Sequence, residues 1–259
     1  MDQRPRTRPG LAVVRRGPGE LQIGVDPRHA VVVGELPEAF VDELLALDGR
    51  HTVAELGERV RERGEDPAEL MSVLAHLDEA GVLDRPRPSA PPGIAVHGEG
   101  ELAETIRALL GEPPAKPELT IVTGFPAPEV VARLMHDRTP HLAVRAREGV
   151  GVVGPLVLPG RTSCLTCADL HRTDRDPCWP AIAAQLVARK PPEDKILATA
   201  TAALSVTQAL LIVDFVRGGR TRPPTWNAAL ELHPASGECS QRSWQPHPDC
   251  ACSAHNMTW

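Results

Sequence analysis

The sequence predicts an α/β protein in two domains, the second closed by a metal. Three observations carry this. Short β-branched runs and then three helical patterns fill residues 10–86. A Pro-rich stretch, Arg85 to Pro92, separates them from residues 93–259, where apolar strands alternate with helical patterns. Two close cysteine pairs, Cys164-x-x-Cys167 and Cys250-x-Cys252, stand in the middle and near the end of that second segment.

The 259 residues suffice for one large or two ordinary domains. The net charge of -6, with no long run of one sign, gives no general argument for nucleic-acid binding. No apolar run is expected to reach bilayer-spanning length, and the Arg-rich N-terminus has no apolar signal core. The expectation is a soluble, cytoplasmic protein. Six cysteines in a chain this long do not imply a disulfide scaffold. With no Tyr and 3 Phe, the cores must be built from Leu, Val, Ala and Ile.

Residues 1–9 have no apolar period and read as a disordered tail. Leu11 to Val14, Leu21 to Gly24 and His29 to Val33 read as three strands, the first two joined by the turn Gly17-Pro18-Gly19-Glu20. Glu38 to Leu47 follows as a helix. Thr52 with Glu55 forms a capping box that opens a second, to about Arg63. Pro67 opens a third, with Leu70, Val73, Leu74 and Leu77 on one face, closed by Gly81-Val82-Leu83. Three strands and three helices make a winged-helix-like module. Its third helix carries Glu69, Asp78 and Glu79 and neither Arg nor Lys, a poor match for phosphate.

The strand pair, Gln22-Ile23-Gly24, Leu47-Asp48-Gly49 and Gly81-Val82-Leu83 resemble the PqqD-like peptide-recognition module of pathways that modify ribosomally made peptides. The resemblance implies that a leader peptide adds as a strand beside Ala30, Val31, Val32 and Val33 and lies against the third helix, at Leu70, Val73, Leu74 and Leu77. An exposed edge has free backbone donors and acceptors for this. The bland alternative is that these Val residues are core, which must hold for alternate ones.

In the second segment, Gly93 to His97 reads as a buried strand. Gly98-Glu99-Gly100-Glu101-Leu102-Ala103 then opens a helix through Leu110, with the G-x-G-x-x-A outline of a nucleotide turn. The outline is degenerate: Glu99 and Glu101 would repel phosphate, and no second strand offers an acidic residue to a ribose. The expectation is that Gly98 and Gly100 serve packing and bind no nucleotide. Strands follow at Leu119 to Thr123 and Pro140 to Val144, a short helix at Pro128 to Met135, and a further strand pair at Gly149 to Leu158. The expected sheet is parallel. A charged stretch after Cys167 turns at Asp176-Pro177. Helices follow at Ala181 to Ala188, ending at Pro191-Pro192, and at Ile196 to Val216, apolar nearly all round and read as a core or subunit-interface helix. Trp226 to Leu232 and Cys239 to Trp244 read as a hairpin around Pro234 to Gly237.

Four thiolates in two close pairs suit a closed tetrahedral zinc site. The alternatives are unrelated thiols or two disulfides. A catalytic zinc is not expected, because four Cys leave no open position. Cys178 is a candidate catalytic thiol, with basic residues nearby to lower its pKa, yet it lacks a base or an activating site to give it a reaction. His171 and His247 read as neighbours of the cluster or surface residues, Cys239 as a strand residue.

The motifs Gly154-Pro155-Leu156-Val157, Pro159-Gly160, Cys164-x-x-Cys167, Arg175-Asp176-Pro177-x-Trp179-Pro180 and His247-Pro248-x-Cys250-x-Cys252 together resemble the ThiF/MoeB-type fold. More narrowly they resemble the cyclodehydratase-partner branch of azol(in)e (TOMM) ribosomal peptide biosynthesis, which joins a leader-binding module to a degenerate ThiF-like domain. The resemblance implies that Cys164, Cys167, Cys250 and Cys252 hold a structural Zn2+. It implies a non-catalytic partner, excluded from adenylation by its shortened Leu110 to Leu119 stretch, that presents a precursor leader peptide to a YcaO-type cyclodehydratase and forms a homodimer. Two other readings remain: an ATP-dependent activating enzyme using Gly98 to Ala103, and a winged-helix DNA-binding regulator with a zinc-bearing sensor domain.

Overall fold

The computed structural model describes residues 3–84, 92–112, 115–188 and 194–252. The expected linker and the Pro191-Pro192 break lie largely or wholly outside them. The chain divides into two compact units, residues 1–90 and 91–259.

The first unit begins with an antiparallel sheet of β1 (Val13–Gly17), β2 (Glu20–Ile23) and β3 (Val31–Val33), in that order. Leu21 and Ile23 point inward at the two-residue period of a strand and are completely buried. Helices α1 (Glu38–Leu45), α2 (Val53–Glu62) and α3 (Pro67–Glu79) cover them. Both halves of the expected capping box form: the Glu55 amide donates to Thr52 Oγ1 and the Thr52 amide to Glu55 Oε2, at 3.1 and 2.7 Å. Asp66 caps α3 ahead of Pro67. Phe40, Val41, Leu44, Val60, Leu70, Leu74 and Leu77 fill the core.

The N-terminal stretch is not a loose tail. Among residues 3–9, Arg6 bridges to Asp48 and Thr7 to Leu83 in antiparallel fashion, and Arg6 ion-pairs with Asp84. The Arg8 amide donates to the Val82 carbonyl at 2.9 Å. A polar segment needs no apolar period when its backbone is satisfied by loop carbonyls on either side of the helices.

The second unit is built on one six-stranded sheet, ordered β4 (Ile94–His97), β5 (Leu119–Thr123), β6 (His141–Arg147), β7 (Val150–Val157), β8 (Ala228–His233) and β9 (Glu238–Ser243). Its helices are α4 (Glu101–Leu110), α5 (Pro128–His136), α6 (Leu165–Arg175), α7 (Trp179–Ala188) and α8 (Lys195–Val216). The sheet is mixed, not wholly parallel: β4, β5 and β6 run parallel, and every later pairing is antiparallel. The cause is local. Glu148 and Gly149 both take positive φ, which closes a two-residue hairpin turn between β6 and β7. The expected strand pair within Gly149 to Leu158 is therefore one strand, β7, paired back onto β6. The hairpin at Pro234 to Gly237 forms as expected, and the charged stretch after Cys167 is a helix, α6.

Period two divides β6 between the two faces of the sheet. Leu142 and Val144 join the core with Ile106, Ala202 and Ile212 from α4 and α8. Ala143 packs on the other side with Cys164, Cys167 and Cys250. Helix α8 is long and apolar enough to cross a membrane by composition, contrary to expectation, but half of it is buried within this unit. Thr201, Ser205 and Gln208 are among its buried residues, which marks a core helix. It lies close to β7 at Gly151, where a Cβ would sit 2.2 Å from Thr201 Oγ1. A bidentate pair joins Arg217, after α8, to Glu118 at the start of β5, at 2.8 and 2.6 Å.

Gly151→Ala is expected to cost about 1–3 kcal/mol by overpacking in urea denaturation, and Gly151→Ala/Thr201→Ala to recover part of it.

Candidate functional site

The cysteine cluster is assembled by a turn that the chain holds rigidly. After β7, Thr162 Oγ1 accepts the Leu158 amide and donates to the Leu156 carbonyl, both at 2.8 Å. The Ser163 amide donates to Asn227 Oδ1 at 2.7 Å. Cys164 then caps α6, so Cys167 follows one turn into the helix. The second pair arrives from beyond β9 through a turn in which the Cys250 amide donates to the His247 carbonyl at 3.0 Å.

The sulfurs converge. Cys164 Sγ lies 3.7 Å from Cys167 and 3.6 Å from Cys250, and Cys167 lies 3.3 Å from Cys252. The ligand atoms of all four lie within 4.8 Å of one another, and none is in a disulfide. A tetrahedral zinc with sulfurs at about 2.3 Å needs sulfur–sulfur edges of roughly 3.8 Å, so the donor set fits such an ion. The hydrogen bond from the Cys164 thiol pulls Cys167 down against its burial, with help from the His247 amide. The same hydrogen bond, together with burial, pushes Cys164 up, and burial pushes Cys250 up to about 11. A divalent cation would remove this competition by taking all four as thiolates.

His247 braces the cluster from outside it. It is 3% exposed, with Nε2 2.9 Å from Asp174 Oδ2 on α6 and Nδ1 accepting the Asp249 amide at 3.1 Å. His171 Nε2 lies 2.9 Å from the Gln245 carbonyl, and its ring meets His247 edge-on at 4.7 Å between centroids. These contacts tie α6 to the segment that delivers Cys250 and Cys252. The brace joins residues far apart in sequence, and no local spacing announces it.

Cys178 is exposed, and no described side chain hydrogen-bonds its sulfur. Cys239 is an exposed residue of β9. Gly98 and Gly100 have φ of +124° and +96°, and a Cβ on Gly98 would meet Thr123 Oγ1 at 2.1 Å. That close strand–turn approach requires glycine. Gly100 caps α4 beside a cleft of about 900 Å³. Strand β4 is the edge of the sheet, and among the described residues nothing pairs with its outer side.

In the first unit β3 is likewise an edge strand. Ala30, Val31 and Val33 are half-buried and Val32 is exposed. Helix α3 differs from the expected lining surface: Leu70, Leu74 and Leu77 are core residues, 1%, 6% and 1% exposed, because three residues at helical spacing on one face are what the sheet covers. Val73 alone of the four is half-buried. Arg145 also escaped the sequence reading, although an arginine inside an apolar strand was a visible signal.

No family model matches the chain, and no curated protein sequence matches it. Solved structures do. A heterocyclase in complex with substrate and cofactor superposes with a TM-score of 0.70 at 16% identity, over 98% of this chain and 40% of that one. The heterocyclase TruD gives 0.71 at 15% identity, over 97% and 43%. The chain shares its fold with a part of each heterocyclase, about two-fifths of its length. The complex of E. coli MccB with selenomethionine MccA gives 0.59 at 11% identity, over 96% of this chain and 99% of MccB. The ThiF-like resemblance carried by the cysteine motifs thus agrees with the architecture. The chain spans less than half the length of the two heterocyclases.

With zinc bound, Cys178 and Cys239 are expected to react quickly with a thiol reagent, and the four cluster cysteines only after a chelator is added; the count of fast-reacting thiols checks this.

Proposed function

We propose that this protein is a leader-peptide-binding partner that presents a ribosomal precursor peptide to a YcaO-type cyclodehydratase, and that its second unit is a scaffold closed by structural zinc. The observation that carries the reading is the open edge of β3 in a three-strand, three-helix unit, within a chain whose fold matches heterocyclases over nearly its whole length. The neighbours include a heterocyclase bound to substrate and MccB bound to MccA. The larger part of each heterocyclase has no counterpart in these 259 residues.

The peptide adds to β3 by main-chain hydrogen bonds, which give affinity, while pockets for alternate side chains give selectivity. Val32 offers one apolar contact on the exposed side, and Val73 offers another from α3. Holding the leader raises the effective concentration of the core peptide at the cyclodehydratase. The role needs no chemistry from this chain. Supporting that, Glu99 and Glu101 flank the turn before α4, and Arg107 is engaged with the Val96 and Gly98 carbonyls at 3.3 and 2.6 Å. Dimerisation would use apolar side chains that α8 leaves outside, such as Ile196, 74% exposed, and Leu211. The setting is cytoplasmic, where free thiols persist and bind zinc.

Fluorescence anisotropy with labelled leader segments of candidate precursors is expected to show saturable binding. Val73→Glu should weaken it about tenfold or more, equivalent to about 1.4 kcal/mol, with unchanged circular dichroism. Backbone N-methylation at alternate leader residues should abolish it. Tight binding that tolerates both changes, or ATP–pyrophosphate exchange by the protein alone, would overturn the proposal.

A further inference from the structure

The edge strands of the two sheets are β1 and β3 in the first unit and β4 and β9 in the second. Three of them are interrupted, short or partly covered. On β1 the register slips between Arg15 and Gly17. β3 is only 3 residues long. On β4 the Arg107 guanidinium donates to the Val96 and Gly98 carbonyls at 3.3 and 2.6 Å. Bulges, short strands and covering side chains keep an edge from recruiting further strands. β9 has none of these devices. Its 6 residues, Glu238–Ser243, pair with β8 without a slip and include neither Pro nor Lys.

β9 also contributes neither face to a core: Ser240 is half-buried and its other residues are exposed. Just beyond the strand, the Trp244 amide donates to the Asn227 carbonyl at 2.7 Å. Alternation then turns the backbone groups of Ser240 and Arg242 toward β8, and those of Cys239, Gln241 and Ser243 outward. Among the described residues, no backbone group meets the outward amides and carbonyls.

The strand is complementary to itself. A two-fold axis at Ser240 lays a second β9 antiparallel along the first. Cys239 then faces the partner's Gln241, and Gln241 the partner's Cys239, each pair exchanging both of its N–H···O bonds. At both ends Glu238 faces the partner's Arg242, in positions without backbone bonds where side chains come closest. Moving the axis to Cys239 or to Gln241 loses the match, because Glu238 or Arg242 then faces the partner's Ser240. Glu238 is exposed, with no ion-pair partner among the described residues. Arg242 already holds Glu231 at 2.6 Å, and its five N–H donors leave room for a second carboxylate.

We infer that β9 is a docking edge whose occupant is β9 of a second copy of this chain, paired antiparallel about Ser240 so that the two six-stranded sheets become continuous. Helix α8 packs on β5, β6 and β7, so this edge is separate from the apolar side chains that α8 exposes. The inference concerns the second unit alone and does not rest on leader binding. One strand pair buries less surface than a permanent interface, so the association depends on concentration.

Sedimentation of the intact chain over a concentration series tests this. The wild type associates. Glu238→Arg and Arg242→Glu each set like charges opposite one another and weaken association about tenfold or more, with unchanged circular dichroism. Mixing these two variants restores it, because each then meets its opposite charge on the other; loss of the Arg242–Glu231 pair could not be repaired in this way. In a Cys178→Ser background, Gln241→Cys forms a disulfide between chains with the partner's Cys239, and adding Cys239→Ser removes it. A wild type that stays monomeric, single variants that associate as the wild type does, a mixture that fails to recover, or a Gln241→Cys chain that does not cross-link would each overturn the assignment.

Discussion

Convergence of four cysteine sulfurs is the constraint on which the second unit depends. Cys164 and Cys167 come from the turn between β7 and α6, and Cys250 and Cys252 from beyond β9. Bringing these stretches together closes a loop that contains α7, α8 and the β8–β9 hairpin. Closing so long a loop costs conformational entropy, and a metal held by four thiolates returns folding free energy at that junction. The surroundings are built to hold the sulfurs in place: Thr162 and Asn227 fix the first turn, and His247 on Asp174 fixes the second against α6. A donor set of four cysteines would leave no open position on an ion held there.

The sheet translates this closure into two differently used faces. Toward α4 and α8 it presents a dry aliphatic core, and α8 approaches β7 closely enough that Gly151 has no room for a Cβ. Toward α5, α6 and α7 it presents the cysteine cluster and Arg145, with cavities between them. One strand, β6, serves both, because alternate side chains leave it in opposite directions. The first unit uses strand geometry differently: β2, between the two edge strands β1 and β3, supplies the fully buried Leu21 and Ile23. An open edge is an aggregation hazard that a folded protein tolerates when a partner strand covers it.

Much of the architecture was legible locally. Thr52 with Glu55, and Pro67 behind Asp66, announced two helix starts because capping is a short-range hydrogen-bond pattern. The two Cys pairs announced their convergence because close spacing lets each turn point two sulfurs the same way. What stayed hidden depends on distant partners or on several weak signals acting together. Arg6 and Thr7 carry no apolar pattern, and only the loops around Asp48 and Leu83 order them. The helix after Cys164 is masked by its charged composition; its buried residues are confined to Leu165, Cys167 and Ala168 in the first turn. Leu70, Leu74 and Leu77 showed an apolar face correctly, but periodicity cannot distinguish a face turned to the core from one offered to a ligand.

Zinc K-edge X-ray absorption, read together with metal content per chain, tests the clasp most directly. The account expects one zinc per chain surrounded by four sulfurs at about 2.3 Å. A folded chain without metal, or an ion whose shell contains nitrogen or oxygen in place of a cysteine sulfur, would contradict it.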